Sequence, residues 1–268
     1  MKFETLSLVA GTKACNAKCP YCCAKFTAEK QPVQELDTRN LRTCIQLANR
    51  SNIDTALITG WGEPTLYMQH IEKYCKLLKA YSGPPLIELQ TNGIRLQDNN
   101  VLRDLKAFGI NTIAVSCVSP FHEDNQRIFG TDYPDLIPLF QQIKEHGFTV
   151  RLMVIGLKGC VDDFGLICAT ACAFSEVDQF TWKPVVGYEK GRIPFDNLIE
   201  IEEGCNREFT TLYNLPYGGT VYDYNGINVC VTNCLTLDPE KERIRQLIYL
   251  PNGRVTYDWQ HEGAVILA

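Results

Sequence analysis

Three cysteines fall at Cys15-x3-Cys19-x2-Cys22, within the run Cys-Asn-Ala-Lys-Cys-Pro-Tyr-Cys. At that spacing on one loop, three thiolates can meet one iron–sulfur cube and leave one iron without a protein ligand. An open metal position is where a cofactor or substrate binds, whereas a closed structural zinc site needs a fourth ligand. Cys23 makes a poor fourth ligand because adjacent side chains diverge. On spacing alone a zinc knuckle remains the alternative. A second stretch, Thr59-Gly60-Trp61-Gly62-Glu63-Pro64, reads as a Gly-rich turn at the end of a β-rich run. Its glycines let backbone approach a ligand closely, and Glu63 offers a carboxylate.

The elements that must position these residues alternate. β-rich apolar runs lie at Thr5–Val9, Thr55–Thr59, Leu86–Gln90, Thr112–Val118, Thr149–Ile155 and Gln179–Val185. Between them run helical stripes: Leu41, Cys44, Ile45 and Ala48; Tyr67, His70, Ile71, Tyr74, Cys75 and Leu78; Leu136, Leu139, Phe140 and Ile143; Phe164, Ile167, Cys168, Ala171 and Cys172. Asp37 and Asp98 read as N-caps. Six strand–helix repeats predict an α/β fold with a parallel sheet and right-handed crossovers, open or closed toward a barrel. Ligands gather at the C-terminal ends of such strands, so the cysteine loop and the Gly62–Glu63 turn share one end.

After Pro184 the pattern changes. A connector over Gly187 to Pro194 leads to a helical stretch around Asn197–Tyr213 and then to two hairpins, Val221–Val231 and Leu247–Tyr257. Each hairpin is built on Asn-Gly, which suits a type I′ turn. We therefore expect residues 1–186 to form the strand–helix unit and 187–268 a small α+β extension that covers the substrate.

Strand alternation predicts a polar face. Glu88, Gln90 and Asn92 share one parity, Thr112, Ala114 and Ser116 another, and Thr181 and Lys183 a third. A strand covered by apolar layers on both faces would read continuously apolar, so the interior is expected to hold a polar ligand.

Together these residues resemble the radical S-adenosylmethionine (radical SAM) superfamily. Its Cys-x3-Cys-x-aromatic-Cys signature is matched by Cys15, Cys19, Tyr21 and Cys22. Its Gly-Gly-Glu-Pro motif is matched at Gly62, Glu63 and Pro64, with Trp61 in place of the first glycine and Gly60 just before it. The resemblance spans roughly residues 3–186 and implies a partial (βα)6 barrel. It also implies a 4Fe–4S cluster held by Cys15, Cys19 and Cys22, with S-adenosylmethionine chelating the open iron. One-electron reduction, from a donor such as flavodoxin or ferredoxin, would then generate a 5′-deoxyadenosyl radical that takes hydrogen from the substrate. By the same resemblance, Gly60, Gly62 and Glu63 flank the cofactor, Asn92 and Ser116 meet its ribose or methionine part, and the Tyr21 backbone meets the adenine. Arg151, if it faces inward, would pair with the cofactor carboxylate, and Lys183 would meet the cofactor or an anionic substrate.

Thirteen cysteines in 268 residues fit this chemistry and a reducing, cytoplasmic setting better than a disulfide framework. Cys44, Cys75, Cys117, Cys168 and Cys172 read as packed thiols, and Cys160 stays open. Cys205, Cys230 and Cys234, around the first hairpin, loosely resemble an auxiliary 4Fe–4S site but lack an apparent fourth ligand. A net charge of −5 argues against a general nucleic-acid surface, and no apolar run approaches the length of a membrane span. Three functions follow: a radical enzyme acting on a small polar metabolite (sugar, nucleoside, nucleotide or amino acid derivative), a maturase modifying a peptide or activating a protein partner, or a non-catalytic iron–sulfur or zinc scaffold. The first strand begins within ten residues of Met1, which lowers the expectation of an N-terminal leader-recognition domain.

Overall fold

A computed structural model describes residues 3–26, 35–161, 164–185, 209–215, 219–232, 237–238, 243–259 and 263–268. The first half alternates as the periodicity predicts: β1 (Thr5–Val9), α1 (Leu41–Arg50), β2 (Thr55–Thr59), α2 (Met68–Ala80), β3 (Leu86–Thr91), α3 (Asn99–Phe108), β4 (Thr112–Cys117), α4 (His122–Phe129), α5 (Leu136–Glu145), β5 (Thr149–Gly156), α6 (Phe164–Ala173) and β6 (Gln179–Pro184). These strands pair in parallel and in sequence order, from β1 next to β2 through to β5 next to β6. No reversal of order occurs. Right-handed crossovers in one direction place the helices on one face of the sheet, which is the plan of a partial barrel and not of a doubly wound sheet.

That outer face carries the core. Leu6, Leu8, Ile58, Leu89, Ile113, Val115, Leu152 and Val154 are buried against helix residues such as Leu41, Ile45, Ile71, Leu105 and Phe140. Each side chain of this size buried contributes about 1.5–3 kcal/mol. Asp98 caps α3 as anticipated, accepting from Asn100 N–H at 2.8 Å. Asp37 does not cap α1: the cap position belongs to Asn40, and Asp37 instead accepts from Arg39 N–H in the preceding turn. His122 opens α4. Cys172 is exposed, because the α6 stripe turns its packed side through Ile167, Cys168 and Ala171.

The later strands are β7 (Phe209–Leu215), β8 (Gly219–Tyr224), β9 (Ile227–Thr232), β10 (Leu237–Asp238), β11 (Arg243–Ile244), β12 (Gln246–Tyr249), β13 (Val255–Thr256) and β14 (Val265–Leu267). β10 and β11 pair with each other in a separate two-stranded sheet, and the other six extend the barrel sheet at both edges, giving the order β14-β13-β12-β1-β2-β3-β4-β5-β6-β9-β8-β7. The expected helix around 197–213 is corrected over its last residues: Phe209 onward is strand, held by antiparallel pairing to β8. Its earlier part, and the boundary at 186/187, fall outside the described residues. The hairpin at Asn225-Gly226 has both residues at positive φ, 50° and 85°, as a type I′ turn needs. The second hairpin differs. Only Gly253 is left-handed, and Leu250 N–H bonds to Arg254 O across a three-residue loop, the geometry of a type I turn closed by a glycine bulge. Pro251 explains the choice, since its fixed negative φ suits a type I turn. Among the described residues, no helix is long and apolar enough to cross a membrane.

Candidate active site

The cysteine loop leaves β1 at its C-terminal end and is anchored before it reaches the first thiol. Ala10 N–H bonds to Thr59 O at 2.7 Å, Gly11 N–H to His70 Nδ1 at 3.1 Å, and the Thr12 hydroxyl meets Tyr67 OH at 2.5 Å. His70 and Tyr67 lie in and just before α2, so the helix after β2 braces the loop after β1. The loop is next clamped onto the second motif. Glu63 N–H donates to Ala14 O at 3.0 Å, and a Cβ placed on Gly62 would sit 1.9 Å from the same oxygen. Only glycine permits that approach.

Glu63 is 2% exposed and its carboxylate is fully engaged. One oxygen accepts from Thr65 N–H (3.0 Å), Thr65 OH (2.7 Å) and Thr91 OH (2.7 Å), the other from Asn92 N–H (2.9 Å). It therefore ties the turn after β2 to the end of β3. Asn92 continues the chain of contacts: its amide donates to Asn16 Oδ1 at 2.7 Å and reaches Cys15 Sγ at 3.7 Å, while Ile94 N–H donates to its carbonyl. The ends of β1, β2 and β3 thus form one hydrogen-bonded rim around Cys15. Thr65, Thr91 and Asn16 were not singled out from the sequence. Thr65 carries a detectable signal, a hydroxyl two residues after a carboxylate, whereas Thr91 joins the site only through the sheet.

Cys15 is exposed, and Cys19 and Cys22 are half-buried. Burial raises the Cys15 and Cys19 thiols, the latter to about 12, and repulsion among the three sulfurs adds to it; the Tyr21 hydroxyl bonded to Cys19 acts in the opposite direction. Iron bound to these thiols would reverse that repulsion and favour the deprotonated form. No three His, Cys, Asp or Glu side chains among the described residues converge to hold a single metal ion. A cubane takes each thiolate on a different iron, so separated thiols on one loop fit it. Cys23, next to Cys22, is exposed.

The inner face of the sheet is polar over β3 to β6. Arg151 points inward, donating to Glu88 at 2.8 Å and to Thr181 OH at 3.2 Å, and Gln90 also donates to Glu88. Glu88 is buried, so the pair neutralises a carboxylate that would otherwise be costly there. Register places Ser116, Met153, Thr181 and Cys230 on one rung and Ile155 and Lys183 on another. Rung partners in parallel strands share a face, so Cys230 lies on the inner side. Its two proposed companions, Cys205 and Cys234, lie outside the described residues. Toward β1 and β12 the inner face turns apolar, with Val9, Ala24, Trp61, Ile248 and Leu250 in a cluster separate from the main core.

Comparison with known proteins agrees with this geometry. The radical SAM superfamily profile matches residues 9–174. GTP 3',8-cyclase of Campylobacter jejuni (strain RM1221) is 26% identical over 157 residues, covering 58% of this chain and 48% of that protein. The enzyme of that name from Synechococcus sp. (strain CC9902) is 33% identical over 110 residues, 39% of this chain and 29% of that protein. The chain spans about half the length of the curated relatives it matches first. Among solved structures, Streptococcus suis SuiB bound to S-adenosylmethionine superposes with a TM-score of 0.65 at 17% identity, over 95% of this chain and 60% of that one. A further structure of SuiB, bound to the precursor peptide SuiA, also gives 0.65, at 15% identity over 95% of this chain and 59% of that one. With the family profile matched over more than half of the 268 residues, this chain belongs to the radical SAM superfamily.

Proposed function

We propose that the protein is an enzyme that cleaves S-adenosylmethionine reductively and takes hydrogen from a small polar metabolite. The observation that carries this is the clamp of the Cys15–Cys22 loop on Gly62 and Glu63, at the mouth of a polar-faced partial barrel. When bound, a 4Fe–4S cluster with S-adenosylmethionine would supply one-electron reductive cleavage of the sulfonium and radical hydrogen abstraction.

The chain's own residues hold and shape that reaction. Cys15, Cys19 and Cys22 would hold three of the irons, and Tyr21 steadies Cys19 through its hydroxyl. Glu63 acts by positioning, since its oxygens are committed to Thr65, Thr91 and Asn92; the backbone at Gly60 and Gly62 is what remains to meet the cofactor. Asn92, Ser116, Arg151 and Lys183 line its bed and that of the substrate, and the apolar wall at Val9 and Trp61 excludes water. An acidic one-electron carrier such as flavodoxin or ferredoxin suits the loop, where Lys13 and Lys18 are exposed and residues 11–26 contain no Asp or Glu. The eleven described cysteines form no disulfide with one another, which suits a reducing, cytoplasmic setting.

A nucleotide is within the substrate class, in keeping with the named substrate of the GTP 3',8-cyclases. A peptide substrate is the second reading. It is favoured by β7, the edge of the described sheet, which exposes Leu212 and Tyr213 and could pair with an extended chain. An auxiliary cluster at Cys205, Cys230 and Cys234 is carried by Cys230 facing inward.

Anaerobic reconstitution with iron counting, then a reductive cleavage assay, tests all of this. About four irons per chain and 5′-deoxyadenosine formation are expected from one cluster, and about eight irons from two. Cys19→Ala should abolish cleavage; turnover retained in that variant would sink the cluster assignment.

A further inference from the structure

Trp61 occupies the position just before Gly62-Glu63-Pro64 and is 5% exposed. It packs with Val9, Ala24, Ile248 and Leu250, and Cys22 packs against the same group. The chain has three tryptophans. Trp182 Nε1 donates to Val161 O at 3.1 Å, and Trp259 Nε1 donates to Gln246 Oε1 at 2.9 Å. Trp61 Nε1 is fully buried and, among the described residues, has no acceptor within hydrogen-bonding distance, thiol sulfurs included. A buried donor without an acceptor is costly, and phenylalanine would fill the same apolar wall without that cost. The N–H therefore calls for an acceptor that arrives when the site is loaded. Cys22 is the group on this wall whose accepting power changes most on loading. As a neutral thiol it accepts weakly, whereas as an iron-bound thiolate it carries negative charge.

We propose that the Trp61 indole N–H donates a hydrogen bond to the Cys22 sulfur of the bound cluster and so raises the cluster's reduction potential. The inference rests on the cluster assignment above. Reduction adds negative charge that spreads onto the cysteine sulfurs, so a donor there stabilises the reduced form more than the oxidised one. Trp61 tunes the cluster through its ligand and takes no part in the reaction itself.

The test is Trp61→Phe, which keeps the apolar wall and removes the donor. Both proteins are reconstituted anaerobically without S-adenosylmethionine, iron is counted, and the reduced signal is titrated against applied potential by electron paramagnetic resonance. At a fixed potential, the reduced-to-oxidised ratio should fall about tenfold in the variant, equivalent to a midpoint lowered by about 59 mV for a one-electron couple. An unchanged midpoint in an iron-replete variant overturns the proposal, as does a difference that appears only after S-adenosylmethionine is added. A second measurement needs no variant that folds. With 15N-indole tryptophan in the native sequence, pulsed hyperfine spectra of the reduced cluster should show one coupled nitrogen and one exchangeable proton, and absence of both overturns the proposal. If the native protein takes up no iron, the cluster assignment fails and this inference fails with it.

Discussion

Gly62→Ala tests the clamp between the two motifs most directly. The added Cβ would lie 1.9 Å from Ala14 O, 2.6 Å from Ala14 C and 2.9 Å from Lys13 C, all backbone atoms that no rotamer change can move aside. Opening the shortest of these to even 3.0 Å needs a shift of about 1.1 Å. A shift of that size breaks the 3.0 Å bond from Glu63 N–H to Ala14 O. Losing the bond and straining the packing together cost about 2–4 kcal/mol, at a melting-temperature change of roughly 2–4 °C per kcal/mol. The larger consequence is chemical, because Cys15 follows Ala14 directly. A site misplaced by about 1 Å loses on the order of 100-fold in rate. Gly263→Ala is the matched control, since a Cβ there meets nothing within 4 Å. Iron per chain, thermal melting and 5′-deoxyadenosine formation should all fall in Gly62→Ala and hold in Gly263→Ala. Full iron content with cleavage within about twofold of the native protein would refute the claim that this contact sets the loop's position.

Two further outcomes follow from the interior. Arg151→Met leaves the buried Glu88 without its cation and should cost about 2–4 kcal/mol in denaturant unfolding, less than for a fully buried pair because Arg151 is partly exposed. Adding Glu88→Gln should recover part of that loss, and additive losses would argue against the pair. In the metal-free native protein at pH 8, iodoacetamide should label the exposed Cys23 and Cys172 and spare Cys44 and Cys75. Burial lifts the latter two thiols to about 12, so on the order of one molecule in ten thousand is thiolate at that pH. Peptide mass spectrometry gives the outcome, and equal labelling of buried and exposed thiols would show the packing to be wrong.

How much was legible differs from residue to residue. The thiol spacing, the Gly62-Glu63-Pro64 turn and the polar parity of Glu88, Gln90, Ser116 and Thr181 could be read directly, because period and spacing are local properties of a chain. Asp37 and the second hairpin misled for an equally local reason: a capping residue and an Asn-Gly pair each suit more than one turn, and Asn40 and Pro251 decided between them. Glu63 was visible as a carboxylate, but not as one already committed to Thr65, Thr91 and Asn92, which come from two strand ends. Arg151 had an uncertain facing until Glu88, 63 residues away, gave it a partner. The unpaired indole of Trp61 had no signature at all, since an unsatisfied donor is defined by everything packed around it. The sequence by itself determined which atoms could do chemistry and the repeat that carries them. Only the tertiary structure decided which of those atoms were already spoken for, because hydrogen-bond satisfaction in a buried rim depends on neighbours that the chain order does not place side by side.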